Sequence, residues 1–312
     1  MIVVKNLYKK FKDKPVLEDI SFHIAPCECV GIIGRNGAGK TTLLDIITGA
    51  LKEDSGFIRV KGCKDIRKHF EVLKKISYVS GMRTQLWSDM KLIYSFENCA
   101  KMYGIKKEEY KKRLDVLVKQ FEMEECLYKP VPYLSFGQKM RSELVYALLP
   151  KPKLLLLDEA LVGIDVSVKE NVVDLLRKLK EEQETTIIYT SHNLTEVEKL
   201  CDRVILIDEG RIIFDGRKDE IMKHYAPEYC IEVNIIGAIP DMEDLPIEKY
   251  SIDCEVLSIR FRKQKIETAE IIKHIFTKTR LINAEIKNIK VIEPNLEDTI
   301  KNIYNKKCIG TV

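Results

Sequence analysis

The segment from Gly34 to Thr41 constrains the fold of this chain more than any other. It reads Gly-Arg-Asn-Gly-Ala-Gly-Lys-Thr, and it lies between the apolar run Cys29–Ile33 and a helical apolar pattern at Thr41–Thr48. Glycines at this spacing let the backbone wrap closely around a phosphate group, with successive amide N–H groups pointing inward. The positive end of the following helix faces the same space. A strand, a glycine-rich loop and a helix in this order predict a nucleotide-phosphate site in an α/β fold.

Individual side chains of this segment are expected to have different roles in nucleotide binding. We expect Lys40 to reach the β- and γ-phosphates of a bound nucleotide and the Thr41 hydroxyl to be a ligand of Mg²⁺. An ordinary glycine-rich turn is the alternative, and the strand–loop–helix order disfavours it. The residues predicted to bind the nucleotide here are Gly34, Arg35, Asn36, Gly37, Ala38, Gly39, Lys40, Thr41 and Thr42.

Two acidic residues follow a second apolar run. Leu154–Leu157 reads as a buried strand, and Asp158 and Glu159 come directly after it. The carboxyl ends of strands are where α/β sheets bind their ligands. There Asp158 is expected to hold the magnesium shell and Glu159 to polarise an attacking water. Two solvated acids at a strand end are the alternative, which the nearby phosphate loop makes less attractive.

Composition restricts the class of protein. A hydrophobic share of 45% and a charged share of 32% indicate a globular protein with a sizeable core, and a net charge of +4 is too small to indicate a nucleic-acid partner. The nine cysteines are an odd number in a chain whose start does not resemble a secretory signal, which favours reduced thiols. No apolar run approaches the ~20 residues of a membrane helix, so we expect another chain to cross any membrane involved.

Strand and helix patterns alternate over the larger part of the chain. Strand signals at Met1–Val4 and Ser21–Ile24 flank a lysine-rich, turn-like stretch. Further strand signals recur at Thr186–Tyr189 and Arg203–Ile207, and helical spacing runs from about Ser88 to Tyr128. This alternation predicts a mostly parallel sheet covered by helices. Near Tyr225 the pattern changes to β-β-α-β-α, with Asn295 as the cap of the last helix. The predicted domains are therefore residues 1–225 and a small α+β domain at 226–312.

Further motifs carry a family resemblance. Leu134-Ser-Phe-Gly-Gln138, with Arg141 after it, resembles the signature sequence of ABC ATPases. The segment from Glu159 to Asp165 is similar to the D-loop of that family, and Thr190-Ser-His192 is similar to its switch histidine. Phe11 occupies the place of the aromatic residue that stacks on adenine.

The resemblance implies a fold and an assembly. It implies a P-loop NTPase with a RecA-like core, an antiparallel β subdomain and an inserted helical subdomain at about residues 82–149. Two copies would pair head to tail and clamp MgATP, with Glu159 and His192 as catalytic residues. The residues that would contact ATP across this interface are Ser135, Gly137, Gln138 and Asp165.

The resemblance also implies partners and a location. A separate transmembrane permease would bind the ATPase at the cytoplasmic face of the membrane, where the ATPase would be peripheral. Glu293-Pro-Asn-Leu-Glu-Asp298 in the tail resembles the proline-containing segment that often precedes the final helix in ATPases of ABC-2-type exporters. Export is therefore the preferred direction. An importer subunit and a non-transport ABC ATPase stay open, as does a tail that recruits a soluble partner. A six-helix permease encoded beside this gene would favour export, and a substrate-binding protein would favour import.

One family position departs in a way that affects the metal. The glutamine expected to be a ligand of magnesium is replaced by Met82, and Gln85 lies nearby but out of register. Because Mg²⁺ prefers oxygen to a thioether, Gln85 or water is expected to complete the magnesium shell. Phe136, Ala160 and Cys27 also differ from the commoner residues of the family.

Overall fold

The computed structural model describes residues 1–81, 83–182, 184–191, 194–225, 228–242, 244–262 and 265–309. The chain forms two compact units, Met1–Lys218 and Asp219–Val312.

The first unit contains most of the regular structure. Its strands are β1 (Ile2–Phe11), β2 (Lys14–Ile24), β3 (Cys29–Ile33), β4 (Ser55–Val60), β5 (Ile76–Ser80), β6 (Leu154–Asp158), β7 (Thr186–Thr190), β8 (Arg203–Asp208) and β9 (Arg211–Arg217). Its α-helices are α1 (Lys40–Ile47), α2 (Phe70–Leu73), α3 (Leu92–Tyr103), α4 (Lys107–Gln120), α5 (Phe136–Leu148), α6 (Val166–Glu182) and α7 (Leu194–Leu200). Short 3₁₀ helices lie at Ile66–Lys68, Glu124–Cys126 and Val131–Tyr133.

A six-stranded sheet with the order β5-β6-β7-β3-β8-β9 forms the centre of this unit. The strands from β5 to β8 are parallel, and β9 is antiparallel to β8. Strands β3, β6 and β7 are buried along their whole length, which matches their apolar sequences and is typical of parallel strands covered on both faces. Because the three strands are neighbours and parallel, their carboxyl ends lie at one edge of the sheet.

A three-stranded antiparallel sheet, β2-β1-β4, packs on the same core. The sequence predicted strands only at Met1–Val4 and Ser21–Ile24, with a lysine-rich turn between them. That prediction was too short: β1 and β2 pair from Ile2–Ile24 as far as Phe11–Lys14, with register shifts on the way. The shifts interrupt the alternation of apolar and polar residues, so the lysines hide the strand from a period-two reading.

Helix α1 joins the two sheets. Leu43, Leu44 and Ile47 are fully buried, in one cluster with Val30 and Ile32 of β3 and with residues of the three-stranded sheet. This packing fixes the direction of α1 relative to β3 and so the path of the loop between them.

Helices α3, α4 and α5 lie between β5 and β6 in the chain, within the predicted insertion of about residues 82–149. Gly104 ends α3 in a left-handed conformation with φ of 67°. Ser135 and Gln138 form a capping box at the start of α5, where each side chain satisfies a backbone N–H group of the other residue. The predicted α/β core with an antiparallel β subdomain and an inserted helical subdomain is confirmed.

The second unit is built on an antiparallel sheet with the order β11-β12-β10-β13. Its elements are α8 (Lys218–Tyr225), β10 (Tyr229–Ile236), β11 (Lys249–Asp253), β12 (Val256–Phe261), α9 (Thr268–Leu281), β13 (Glu285–Ile292) and α10 (Leu296–Ile309). Ile271 and Ile275 of α9 pack on buried residues of β10 and β12. The sequence did not predict β11, because most of its side chains are exposed and give no apolar alternation.

The division between the units lies one short helix before the boundary predicted after Tyr225. Helix α8 falls almost entirely in the second unit, where the Thr299 hydroxyl contacts the Met222 sulfur at 3.3 Å. The predicted cap of α10 is confirmed, since the Asn295 side-chain oxygen accepts a hydrogen bond from the Asp298 amide at 2.8 Å. In the part of the chain that the structure describes, no helix is both long and apolar enough to span a membrane.

Candidate functional site

The loop from Gly34 to Gly39 connects β3 to α1 and is shaped by close backbone contacts. A Cβ atom at Gly34 would lie 2.4 Å from the carbonyl oxygen of Ile207 in β8. Gly39 has φ of 101°, and a Cβ atom there would lie 2.8 Å from the carbonyl oxygen of Val16. Gly37 also has a positive φ, of 80°, but open space around it. Packing therefore requires glycine at positions 34 and 39, and the left-handed backbone requires it at position 39 as well.

Lys40 occupies the inside of this loop. Its ammonium group donates hydrogen bonds to the carbonyl oxygens of Gly34 at 2.7 Å and Arg35 at 3.1 Å, and the residue is 6% exposed. Burial lowers the pKa of Lys40, while the charges of Glu159 and Asp158 act in the opposite direction. The loop therefore holds a buried cation beside two carboxylates, where anionic phosphate oxygens can take over from the carbonyl groups as its partners.

Asp158 lies at the end of β6, and its carboxylate accepts hydrogen bonds from three hydroxyl groups. Its Oδ2 atom accepts hydrogen bonds from the Thr41 hydroxyl at 2.7 Å and the Tyr78 hydroxyl at 3.3 Å. Its Oδ1 atom accepts one from the Thr190 hydroxyl at 2.5 Å. Burial, with a smaller contribution from the Asp158 charge, raises the pKa of Tyr78, so this hydroxyl stays a donor.

Sequence reasoning missed the part played by Tyr78 and quoted Thr190 only as part of a motif. The parallel register could have found both, because Tyr78 pairs with Leu156 in β6 and Thr190 pairs with Asp158 itself. Predicting which side chains meet at one edge of the sheet requires the order of the strands. The sequence alone does not give that order.

The oxygen atoms around Asp158 fit a magnesium ion. A hydroxyl and a carboxylate oxygen 2.7 Å apart, next to a phosphate loop, form the hard donor set that Mg²⁺ shares with nucleotide phosphates. The predicted pair Thr41 and Asp158 is thus brought together by the fold.

Glu159 follows Asp158 in an uncommon backbone conformation. It has φ of 54°, in the left-handed region that costs a residue other than glycine about 1 kcal/mol. Its amide donates to the Thr190 carbonyl oxygen at 3.1 Å and to the Thr190 hydroxyl at 3.2 Å, so the strained backbone is held from β7. The half-buried side chain lies near enough to Lys40 to affect its pKa. His192, which is predicted to be catalytic, and Met82, which replaces the glutamine of the family, lie outside the described residues.

Gln85 lies in the loop after β5. Its side-chain amide donates a hydrogen bond to the Tyr78 carbonyl oxygen at 2.5 Å, and its backbone amide donates to Glu143 at 2.9 Å. Gln85 is thus one residue removed from Asp158, through Tyr78. Its role as a ligand of magnesium stays a prediction.

The signature residues lie at the exposed start of α5. Ser135 and Gln138 cap each other, with distances of 2.9 and 3.2 Å. A Cβ atom at Gly137 would lie 2.6 Å from the carbonyl oxygen of Gly163, and the Phe136 ring would contact a Cβ atom at Gly163. The signature therefore packs against the D-loop segment of its own chain.

The remaining predicted contacts are exposed. Asp165 lies just before α6, and its carbonyl oxygen accepts a hydrogen bond from the Lys169 amide at 2.8 Å. Phe11 is 49% exposed at the end of β1, and the Lys9 ammonium lies 5.6 Å from the centroid of its ring. The β1–β2 hairpin reaches the phosphate loop through Val16, next to Gly39. Adenine stacking on Phe11 and the role of Asp165 stay predictions.

This fold and this site, with a phosphate loop, an acidic strand end and a capped signature helix, define an ATP-binding cassette. The ABC transporter family profile matches residues 17–162. The ABC transporter ATP-binding protein NatA of Bacillus subtilis is 32% identical over 240 residues, which cover 76% of this chain and 96% of NatA. The chain belongs to the ABC transporter family as an ATP-binding subunit that hydrolyses ATP, which confirms the resemblance and the predicted ATPase activity.

Two other relatives differ in how much of this chain they match and in the kind of transporter for which they are named. The linearmycin resistance ATP-binding protein LnrL of Bacillus subtilis is 27% identical over 316 residues, which cover 98% of this chain and 99% of LnrL. The energy-coupling factor transporter ATP-binding protein EcfA1 of Bacillus licheniformis is 32% identical over 223 residues, which cover 69% of this chain and 77% of EcfA1.

Solved structures of ABC ATP-binding subunits share the fold over most of this chain. An ATP-binding subunit of an ABC transporter matches with a TM-score of 0.67 and 27% identity, over 72% of this chain and 93% of that one. A dimeric bacterial ABC transporter cassette matches with a TM-score of 0.64 and 25% identity, over 70% of this chain and 98% of that one.

The packing of Gly34 leads to a prediction. Gly34→Ala should push the loop away from β8, because the new methyl group would lie 2.4 Å from a backbone oxygen that cannot move freely. We expect ATP binding, measured by calorimetry, to be lost. Gly104→Ala is the control: its φ of 67° makes it cost about 1 kcal/mol in stability, with open space and no change in ATP binding. Normal ATP affinity in Gly34→Ala would contradict this account of the loop.

Proposed function

We propose that this chain powers an ABC-2-type exporter by hydrolysing MgATP between two copies of itself. The observation that supports the chemistry best is the arrangement around Asp158, where Thr41 of the phosphate loop is hydrogen-bonded to the acidic end of β6 at 2.7 Å. In that arrangement a bound nucleotide with its Mg²⁺ would lie between the phosphate loop and the acidic end of β6, next to Glu159.

Nucleotide binding is assigned to the phosphate loop. The amides of residues 34–42 would bind the phosphate oxygens, and Lys40 would exchange its bonds to Gly34 and Arg35 for bonds to the β- and γ-phosphates. The exposed ring of Phe11 would stack on the adenine.

The metal and the base are assigned to the acidic edge. Thr41 and Asp158 would hold Mg²⁺, with Gln85 as a further candidate, and the ion would neutralise charge on the phosphate oxygens. Glu159 would orient the attacking water and accept its proton as the water adds to the γ-phosphorus and ADP leaves. Its backbone bonds to Thr190 support this role, because they fix the backbone from which the carboxylate extends beside the phosphate loop. His192 would contact the γ-phosphate.

The second copy is assigned to the signature surface. Ser135, Gly137 and Gln138 lie at the N-terminus of a helix, where hydroxyl and amide donors suit a γ-phosphate. Within the described residues, no hydrogen bond joins Ser135 or Gln138 to the phosphate loop of the same chain. Together with Asp165, they would close the site of a partner in a head-to-tail dimer, and the likeness to a dimeric cassette supports pairing.

The direction of transport rests on the second unit. LnrL, which is named for linearmycin resistance, matches 98% of this chain and so includes the tail, whereas EcfA1 matches 69%. Likeness along the whole chain favours export over import. A separate permease in the membrane, with this ATPase bound at its cytoplasmic face, would complete the transporter.

The assignment of Glu159 predicts a separation of binding from hydrolysis. Glu159→Gln keeps the shape of the side chain but cannot accept a proton, so ATP should still bind while turnover falls by about 10²–10⁴. Steady-state rates and nucleotide binding check this. Glu209→Gln is the matched control, since Glu209 also has a positive φ, of 48°, and is exposed in the turn before β9. Near wild-type turnover in Glu159→Gln would remove Glu159 from the mechanism.

The assignment of Ser135 predicts that turnover is second order in protein at low concentration. Ser135→Arg should abolish hydrolysis, because a long cation would block the signature surface. A mixture with Lys40→Ala chains should keep at most one working site per heterodimer. Thermal unfolding of Ser135→Arg separates this result from loss of the α5 cap. A Ser135→Arg protein with normal ATPase activity would exclude the sandwich.

The candidate role of Gln85 predicts a magnesium-dependent defect. Gln85→Ala should lower ATPase activity strongly and raise the Mg²⁺ concentration needed for half-maximal rate, because an oxygen ligand is lost. Met82→Ala, three positions away, should leave this dependence unchanged. Rates measured over a range of Mg²⁺ concentrations decide the matter. A silent Gln85→Ala would show that water completes the shell.

A further inference from the structure

A buried carboxyl group on α5 holds the loop that follows β5. Glu143 is 3% exposed, and its Oε1 atom accepts hydrogen bonds from the Thr84 hydroxyl at 2.5 Å and the Gln85 amide at 2.9 Å. The Thr84 hydroxyl in turn accepts from the Leu86 amide at 3.1 Å. These bonds join one side chain of the signature helix to three consecutive residues of the loop.

Burying a carboxyl group in this way costs more free energy than packing the helix through an apolar side chain. Most neighbouring α5 side chains are apolar and buried, among them Leu144 and Val145. Among the described residues, the second oxygen of Glu143 is buried with no hydrogen-bond partner. Burial raises the pKa of Glu143, and the bonds from the loop oppose that shift. Since an apolar residue would pack here at lower cost, the position of the loop accounts for the carboxyl group.

The loop leads on to the nucleotide site. The Gln85 side chain donates to the Tyr78 carbonyl oxygen at 2.5 Å, and the Tyr78 hydroxyl donates to Asp158 at 3.3 Å. In the other direction, α5 begins just after Ser135, about 12 Å along the helix axis from Glu143 at 1.5 Å per residue. A helix this short moves as one body, so a displacement of its N-terminus reaches Glu143.

We propose that Glu143 is a positioning residue that ties the signature helix to residues 84–87, and through Gln85 and Tyr78 to Asp158. When Ser135 binds the nucleotide of the partner copy, the resulting displacement of α5 is transmitted through Glu143. It repositions residues 84–87 and the acidic edge in the site of the same chain. The second part of this inference rests on the proposed function. The first part, the tie between helix and loop, does not.

The chain contains a natural reporter of this tie. Trp87 is its single tryptophan, the residue is 44% exposed, and its amide donates to the Ser95 hydroxyl at 2.9 Å. A released loop exposes this ring further, so collisional quenching of its fluorescence by acrylamide reads the state of the loop without any nucleotide.

The experiment uses the full-length protein. Glu143→Ala removes the acceptor, and Thr84→Val removes one donor at an exposed position where misfolding is not expected. We expect both variants to show a larger acrylamide quenching constant for Trp87 than wild type. We also expect kcat to fall about 10-fold in Glu143→Ala with KM for ATP little changed, since small displacements of reacting groups lower the rate steeply.

Conservative variants separate positioning from stability. Glu143→Gln keeps an oxygen acceptor and Thr84→Ser keeps the hydroxyl, so both should retain wild-type quenching and kcat. The matched control is Ser142→Ala, which removes a buried bond within α5, from the Ser142 hydroxyl to the Gln138 carbonyl oxygen, without touching the loop. Because Glu143 and Thr84 share one bond, the Glu143→Ala/Thr84→Val double variant should have a kcat within about 2-fold of Glu143→Ala.

Three results would overturn the proposal. The first is unchanged Trp87 quenching in Glu143→Ala, which would show that the loop is held by other contacts. The second is an equal loss of kcat in Ser142→Ala, which would make the effect one of helix packing. The third is full additivity of the two substitutions. If quenching changes as expected in a protein without ATPase activity, the tie stands and the proposed function fails.

Discussion

The carboxylate of Asp158 is the interaction on which the site depends. It accepts hydrogen bonds from Thr41 at the start of α1, from Tyr78 in β5 and from Thr190 at the end of β7. The oxygens of a residue that is 5% exposed need hydrogen-bond donors in place of the lost water, and here each donor comes from a different element. The requirement to satisfy one buried carboxylate therefore aligns the phosphate loop with the strand that carries Glu159, whose amide bonds to the same Thr190.

Local features of the fold and site could be read from the sequence. The glycines at 34, 37 and 39, the run of leucines before Asp158 and the cap at Asn295 each encode their conformation within a few residues. The family was recognisable for the same reason, since the signature and the phosphate loop are short continuous segments. Glu159 shows the limit of this reading. Its chemistry was predictable, but its left-handed backbone depends on Thr190, which lies far along the chain.

What could not be predicted depends on contacts between distant segments. Strands β1 and β2 were hidden by register shifts that follow from pairing, and β11 is a strand because β12 lies beside it rather than because of its own residues. Glu143 reads as one more charged position on a helix. Only packing shows that it is buried and bonded to a loop that precedes it by more than fifty residues. The periodicity of a sequence shows which residues are apolar. It does not show which hydrogen-bond partners the polar residues have in the fold.

Glu143 has a counterpart elsewhere in the first unit. Glu196 of α7 is 6% exposed and accepts hydrogen bonds from the hydroxyls of Tyr189 and Ser191, while the Lys169 ammonium of α6 lies 2.7 Å from it. This carboxyl group joins the strand end before His192 to the helix that follows Asp165, as Glu143 joins the signature helix to the loop after β5. Apolar packing would hold these elements together, but it tolerates sliding because it is not directional. Hydrogen bonds to a buried carboxyl group fix distance and angle, so segments that must move together are better joined in this way.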